Sequence, residues 1–404
     1  MEVIYYQDIQ KIPIKSWCDI LDDGTREQAL NLANHPVTRK WVALMPDAHA
    51  GYGMPIGGVI LCENAVIPNA VGVDIGCGVR AVKTGFNASA FDKQTLRKIS
   101  DEIKKVIPVG FGVHQEPQQW DGFEEYIETA TNLGWGWFTP DVFKRARRSL
   151  GTLGGGNHFI ELQRDDGDCL WVMIHSGSRN LGKQIADHYH KWAVELNGQY
   201  HSDIPTPDLA FLPDDSAVGQ CYIEDMNFAL TFAQANREFM MSAVLDSIEA
   251  ITSDCPVLRG GEIDVHHNYA TIENHFGKNY WIHRKGATAA WIGDYGLIPG
   301  SMGTKSYVVF GKGSKDSFSS CSHGAGRRMG RTAANASITL EMAERAVSGV
   351  VCDRFSKITK GKQKGLYDVS ESPQAYKPID EVINAQLDLV SVAVELTPIL
   401  NVKG

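Results

Sequence analysis

The sequence predicts an α+β protein: one compact domain with a β-rich core, helices around it and a central cleft. Three observations predict the class. Short apolar runs bounded by glycine recur along the chain as buried strands, at Ile56–Cys62, Cys169–Ile174, Tyr280–Arg284 and Ser306–Phe310. Between them lie segments with apolar residues at helical spacing, above all Phe91–Val106 and Tyr222–Ile248. No repeat, low-complexity linker or shift in composition divides the 404 residues, so 1–404 is read as a single domain.

Composition sets further bounds. A net charge of −9 argues against broad electrostatic coating of nucleic acid, although a local basic groove needs only a local cluster. No window approaches the roughly 18 consecutive apolar residues of a membrane span. The N-terminal MEVIYYQDIQKIPIK lacks the order of a signal peptide, so a cytoplasmic location without a membrane partner is expected. The eight cysteines (Cys18, Cys62, Cys77, Cys169, Cys221, Cys255, Cys321, Cys352) include no CxxC pair, which argues against a disulfide framework and a zinc ribbon. Reduced thiols are expected.

In chain order, Met1 to about Trp41 reads as a polar opening layer with a short helix near Arg26–Ala33. MPDAHAGYGMPIGGVILCE, Met45 to Glu63, places Asp47 and His49 on a loop feeding the first buried strand. VGVDIGCGVR, Val71 to Arg80, then sets Asp74 and Cys77 three apart among Gly72, Gly76 and Gly78. Carboxylate and thiolate are both anionic metal ligands, and the glycines let the backbone aim them at one point. Phe91–Val106 reads as an amphipathic surface helix ended by Pro108, and Gln115–Trp137 as a long loop. GTLGGGNHFIELQ, Gly151 to Gln163, delivers Asn157 and His158 at the start of a strand carrying Glu161. Exposed glycine N–H groups suit a phosphate or nucleotide there, although no GK[ST] follows as a Walker loop requires.

The strand Cys169–Ile174 ends in HSGSRNLG, which puts His175 and Arg179 at its terminus, the guanidinium suited to bidentate phosphate contact. Tyr222–Ile248 reads as a core helix, its Met and Phe content being packing. GEIDVHHNYATIE carries His266 and His267; adjacent strand residues face opposite ways, so at most one of them faces a given site. A Gly/Pro turn, GLIPGSMG, spans Gly296–Gly303, and SFSSCSHGAGRRMGR embeds His323 in Ser and Gly, a setting that opens an imidazole to a ligand. Thr332–Val350 and Ile379–Val394 read as closing helices, and Asn401–Gly404 as a short polar tail.

Together Asp74, Cys77, His158, His175, His267 and His323 stand beside glycine or at strand ends. Such a set can hold one divalent ion or two, zinc as readily as manganese by ligand softness. With glycine-rich anion loops and Arg179 it points to phosphoryl chemistry on phosphate esters.

VGVDIGCG, LGGGNHFIE, HSGSR, HHN, PGSMG, SCSHGAGR and the C-terminal VKG, in this order across nearly the whole chain, resemble the RtcB family of RNA ligases. The resemblance implies a GTP- and manganese-dependent enzyme of RNA repair or tRNA splicing. It would join an RNA 3′-phosphate or 2′,3′-cyclic phosphate end to a 5′-hydroxyl end through a histidine–GMP adduct. On this chain it makes His323 the nucleophile, and Asp74, Cys77, His158, His175 and His267 the ligands of two Mn²⁺ ions with Cys77 shared. His267 is preferred to His266 because the family pattern is His followed by Asn, here Asn268.

The same resemblance implies nucleotide contacts from Asn157, His158, Phe159, Ile160 and Glu161, and from His267 and Asn268. Pro299, Gly300, Ser301, Met302 and Ser306 follow, then Gly324, Ala325 and Gly326 beside His323, with Tyr376 stacking on the base and Lys403 at the C-terminus. A carboxylate such as Glu161 accepts from the guanine N1 and N2 donors, a physical basis for GTP over ATP. Arg179, with Arg327, is expected on RNA phosphate, and an accessory activator protein is a further expected partner.

The chain departs from the family pattern at Asn180 in HSGSRN, where glycine is commoner, and at Ala48 in MPDAHAG, where valine is frequent; neither removes a ligand. Val109–Ala146, rich in Trp and poor in Lys, points to a paralogue specialised for a particular broken RNA. Two rival readings are a dinuclear-metal phosphoesterase with His323 as a ligand, and an RNA-binding relative without turnover. Guanylylation separates the first; against the second, every metal and nucleophile position holds a competent residue.

Overall fold

In the computed structural model, which describes residues 1–132, 136–252 and 260–404, the glycine-bounded apolar runs form two large sheets. The six-stranded sheet runs Glu2–Ile4, Ile14–Ser16, Thr38–His49, Ile56–Cys62, Lys278–Lys285, Asn268–His275. Its Ile14–Ser16 strand pairs parallel to Thr38–His49. The seven-stranded sheet is antiparallel and runs Gly260–His266, Gly78–Asn87, Cys169–Ser176, Phe159–Asp165, Val390–Lys403, Ser306–Gly311, Tyr295–Ile298. Its two edge strands approach one another, so the sheet curls towards a barrel.

Alternation along the strands builds the core. Val79, Phe159, Met173 and Val308 pack together on one face of the seven-stranded sheet. Ile160, Leu162, Val172 and Ile174 face the other way, against Met240, Val244 and Ile248 of the 36-residue helix Ala217–Thr252. The helix Lys93–Val106 joins that layer through Leu96, Ile99 and Ile103. Asp92 caps it by accepting from the Thr95 N–H at 2.7 Å, and Pro108 follows its end. Each such buried aliphatic side chain contributes about 1.5–3 kcal/mol.

The strand ends converge where the sequence motifs lie. Register pairs Gly78 with Ser176, His175 with Phe159, and Phe159 with Lys403, so four strands terminate together. His267 is the single residue between the Gly260–His266 strand of one sheet and the Asn268–His275 strand of the other. The cleft therefore opens at the seam between the sheets.

Several expected elements differ. Met45–His49 is the end of a strand, not a loop: its alternation is masked because Val42–Ala48 is buried on both faces. Gln115–Trp137 contains the helix Gly122–Asn132, whose Phe123 and Tyr126 pack on Phe228; residues 133–135 of that stretch lie outside the described residues. The helix Arg179–Gln199 follows HSGS directly. Thr332–Val350 divides into Arg331–Ser337 and Leu340–Ala346, because Thr339 accepts from the Met342 N–H at 3.2 Å and caps a new helix.

Ile379–Val394 is helical only to Asn384; Val390, Val392 and Val394 alternate with smaller or polar residues, and the chain continues as a strand. The expected tail from Asn401 is thus the end of a central strand, with Asn401 paired to Glu161. No helix among the described residues is long and apolar enough to cross a membrane. The seven described cysteines are unpaired, and Cys255 lies outside the described residues.

Candidate active site

Gly76 adopts φ 73°, a turn open chiefly to glycine, and bends the chain so that Asp74 and Cys77 face one point. The turn is held from the HHN motif: Asn268 donates to the Asp74 carbonyl at 3.1 Å, and the His267 N–H donates to the Cys77 carbonyl at 2.9 Å. Around Cys77 Sγ stand His158 Nε2 at 3.5 Å and His175 Nε2 at 3.3 Å. Asp74 Oδ2 lies 3.1 Å from His158 Nε2, and His267 Nε2 lies 3.3 Å from His175 Nε2. Two trios result, Asp74–Cys77–His158 and Cys77–His175–His267, joined at Cys77.

The donor set fits cations. His175 Nδ1 lies 3.2 Å from the Asn157 carbonyl, a contact that places its ring proton on Nδ1 and turns the Nε2 lone pair inward, while His158 stands between the Leu153 carbonyl, 3.0 Å from Nδ1, and Asp74 Oδ2, 3.1 Å from Nε2. His175 Nε2 lies 3.3 Å from His267 Nε2, and the buried His267 Nδ1 has no hydrogen-bond partner among the described residues, so either a proton on His267 Nε2 or a cation between the two rings satisfies the pair. Burial holds both imidazoles well below their usual range, with neighbouring histidines adding to the effect, so they stand as neutral ligands. Burial would raise the Asp74 carboxyl, but the hydrogen bond and charge of His158, with Arg179, keep it below its ordinary range.

His323 faces this cluster, its ring centroid 4.7 Å from that of His267. Its Nδ1 lies 2.7 Å from Asp47 Oδ2, which also accepts the His323 N–H at 3.1 Å. Asp47 is wholly buried. A carboxylate so placed fixes the Nδ1–H tautomer and leaves Nε2 with its lone pair free to attack. Gly326, at φ 70°, lets the HGAG loop lie on the Asp47 backbone, where a Cβ would collide.

A cavity of about 420 Å³ joins these groups. Its wall includes Asp74, Cys77, His175, His267 and Asn268 on one side and Pro299, Gly300, Ser301, Met302 and His323 to Gly326 on the other. Asn157, Phe159, Tyr376 and Lys403 close it. Glu371, also on the wall, gathers Arg327 at 3.0 Å, Arg331 at 3.1 Å, Lys403 at 3.1 Å and the Tyr376 hydroxyl at 2.5 Å.

A family model described as tRNA-splicing ligase RtcB matches residues 28–404. The chain is 36% identical to "RNA-splicing ligase RtcB" of Escherichia coli strain K12, over 98% of both chains. It is 30% identical to "tRNA-splicing ligase RtcB" of Pyrobaculum aerophilum, covering 98% of this chain and 95% of the relative. The chain belongs to the RtcB family.

Some residues that the RtcB resemblance implied lie off the cavity wall. Ile160 packs into the core, because strand alternation turns it away from Phe159. Both Glu161 oxygens are engaged, by Asn401 at 2.6 Å and Gln163 at 2.7 Å; Ser306 Oγ accepts from the same Gln163 at 3.0 Å and from the Gly300 N–H at 3.2 Å. Arg179, at φ 59°, places Nη1 3.3 Å from His158 Nδ1, behind the ligand cluster. His266 turns away from the cluster, into the buried Arg237 at 3.2 Å and the Gly76 carbonyl at 3.2 Å.

Other residues around the cluster have no role assigned from the sequence. Asp47 was visible in MPDAHAG, but only its 2.7 Å contact gives it a role. Asn236 and Arg237, in a helix read as packing alone, support the ligand loops: Asn236 accepts from the Gly151 and Thr152 N–H groups, and Arg237 donates to the Gly76 and Ser176 carbonyls. Polar residues inside an apolar helical run were the available signal.

Proposed function

We propose that this RtcB-family RNA ligase joins RNA 3′-phosphate or 2′,3′-cyclic phosphate ends to 5′-hydroxyl ends in RNA repair or tRNA splicing, through a GMP adduct on His323. The observation that carries it is the pairing of His323 with buried Asp47 at 2.7 Å, facing the cysteine-bridged ligand cluster in one cavity. A phosphoesterase needs the cluster; a free imidazole lone pair held by a buried carboxylate suits nucleophilic attack.

In this reading His323 Nε2 attacks the α-phosphorus of GTP; an N–P bond forms, the P–O bond to the β-phosphate breaks, and pyrophosphate leaves. Asp47 holds the ring and stabilises the positive charge that grows on it. The RNA 3′-phosphate oxygen then takes GMP from His323, and the 5′-hydroxyl oxygen attacks the activated phosphorus, releasing GMP and closing the phosphodiester. A cyclic phosphate is first hydrolysed to a 3′-phosphate. Asp74, Cys77, His158, His175 and His267 would hold two Mn²⁺ ions, which supply charge neutralisation on the transferring phosphate.

Asn157, Phe159, the Pro299–Met302 turn, the HGAG backbone and Lys403 bind the nucleotide in this reading, with Tyr376 against the base, Ser306 holding the Gly300 N–H behind the turn, and Glu161 reading guanine once the base displaces Asn401 or Gln163 from its oxygens. Arg179 holds RNA phosphate, and 1–404 acts as one ligase domain. Incubation with α-phosphate-labelled GTP and Mn²⁺ tests the adduct. Acid-labile, alkali-stable label on the protein, absent from His323→Ala, is expected. Metal-loaded protein that takes no label from GTP or ATP would favour the phosphoesterase.

A further inference from the structure

Phe111 is fully exposed, at 104% of its reference area, on the tip of the turn Val109–Gly112. A lone exposed aromatic is ordinary; this one is held out by fixed backbone. Gly110, at φ 62°, donates to the Gly154 carbonyl at 2.9 Å, and Gly112 N–H closes the turn on Val109 at 3.0 Å. Beyond it the His114 N–H donates to the Arg148 carbonyl at 2.8 Å, and Arg148 Nε donates back to the His114 carbonyl at 2.7 Å. The ring stands clear of every packing partner on a segment pinned at both ends.

Cations surround it. Phe111 and Val113 line a groove of about 300 Å³ with Lys144, Arg145 and Arg148 from the helix Pro140–Ser149, and Asp141 is the one acid on its wall. Lys144 and Arg145 are exposed and form no ion pair among the described residues, whereas Arg147 of the same helix is tied to Glu124 at 2.7 Å. In a chain of net charge −9 this is a local reversal of sign.

The Arg179 side chain links the turn that carries Phe111 to the ligand cluster. Arg179 Nη2 donates to the Gly110 carbonyl at 3.5 Å while its Nη1 lies 3.3 Å from His158 Nδ1, so one residue separates Phe111 from a side chain touching the cluster. An aromatic face beside unpaired cations is the arrangement that binds single-stranded nucleic acid, the ring stacking on any base and the cations holding its phosphate.

We propose that Phe111, with Lys144 and Arg145, is a stacking site for an unpaired nucleobase and its phosphate on the RNA strand that leads to the ligand cluster. The inference rests on the RNA-ligase reading and names where its substrate lies. It requires an unpaired, unstacked base, because stacking between neighbours inside a duplex covers both faces.

Binding of a fluorescent single-stranded RNA of about 10 nucleotides, a length within the usual site sizes, tests it by anisotropy, independently of joining. Phe111→Ala should raise Kd about tenfold, Phe111→Trp should restore it, and uptake of GTP label should be unchanged in both. Lys144→Ala with Arg145→Ala should weaken binding and flatten its salt dependence by about one unit of log–log slope. A blunt duplex should bind wild type and Phe111→Ala alike. Wild-type RNA affinity in Phe111→Ala, or an equal loss on duplex and single strand, would overturn the site. Failure of wild type to take GTP label, with Phe111-dependent RNA binding intact, would instead remove the nucleotidyl mechanism.

Discussion

Asp47 Oδ2 accepts two bonds from one residue, the ring Nδ1–H of His323 at 2.7 Å and its backbone N–H at 3.1 Å. Backbone and ring are thus fixed by the same buried oxygen. Asp47→Asn turns an N–H donor or a weaker acceptor towards Nδ1 and loses the stabilising charge. We expect label uptake from GTP to fall about 10²- to 10⁴-fold, with an unchanged circular dichroism spectrum. A loss of less than about threefold would show that Asp47 does not set the tautomer.

The ligand cluster predicts linkage between metal and stability. Ligand bound only by the folded state at 100 times its Kd adds about 2.7 kcal/mol. Mn²⁺ should therefore raise the Tm of the metal-free wild type by several degrees. Cys77→Ser, which removes the ligand shared by both trios, should abolish most of that shift and lower the bound metal per chain measured by mass spectrometry.

Burial alone would raise the Glu371 carboxyl, but Lys403, the Tyr376 hydroxyl, Arg331 and Arg327 hold it down at about 2, against an ordinary 4.5. A depressed folded pKa contributes stability above the unfolded value and loses it as pH falls towards the folded one. The contribution is roughly 3 kcal/mol, present at pH 5 and above and fading between about pH 4.5 and 2. Glu371→Gln should lose that increment at pH 7 and converge on wild type only as pH falls to about 2 and below in urea unfolding.

Glu161 carries the opposite shift, its carboxyl pushed up to about 7 by burial despite the Asn401 and Gln163 hydrogen bonds. A protonated carboxyl loses acceptor capacity for guanine. KM for GTP in label uptake should therefore rise as pH falls through about 7, and Glu161→Gln should flatten that profile and narrow the preference for GTP over ATP.

Much of the site was legible because its residues sit on motifs whose glycines and strand ends signal a turned backbone. Spacing makes Asp74 and Cys77 metal-ligand candidates, the resemblance alone gives them the role, and the structure brings them together with His158. The choice of His267 over His266 follows from strand alternation together with Asn268, and His266 does point to Arg237. What the sequence concealed was long-range. The stretch from Val390 to Val394 reads as helix, although its valines alternate; pairing with the Ser306–Gly311 strand, some 80 residues earlier, decides its state. Arg237 lies in a stretch that reads as packing alone; Asp264 and the Gly76 carbonyl, distant in sequence, give it its role. The basic face of Pro140–Ser149 was hidden by the Trp-rich composition of its neighbours.

The central claim, that a nucleotide on His323 drives strand joining, is tested most directly in a single turnover. Protein labelled from GTP, freed of nucleotide and mixed with 3′-phosphate and 5′-hydroxyl RNA ends plus Mn²⁺, should form joined RNA and release labelled GMP in equal amounts, up to one per labelled chain. Label retained on the protein while the ends stay apart, or joining at full rate in His323→Ala, would contradict the account.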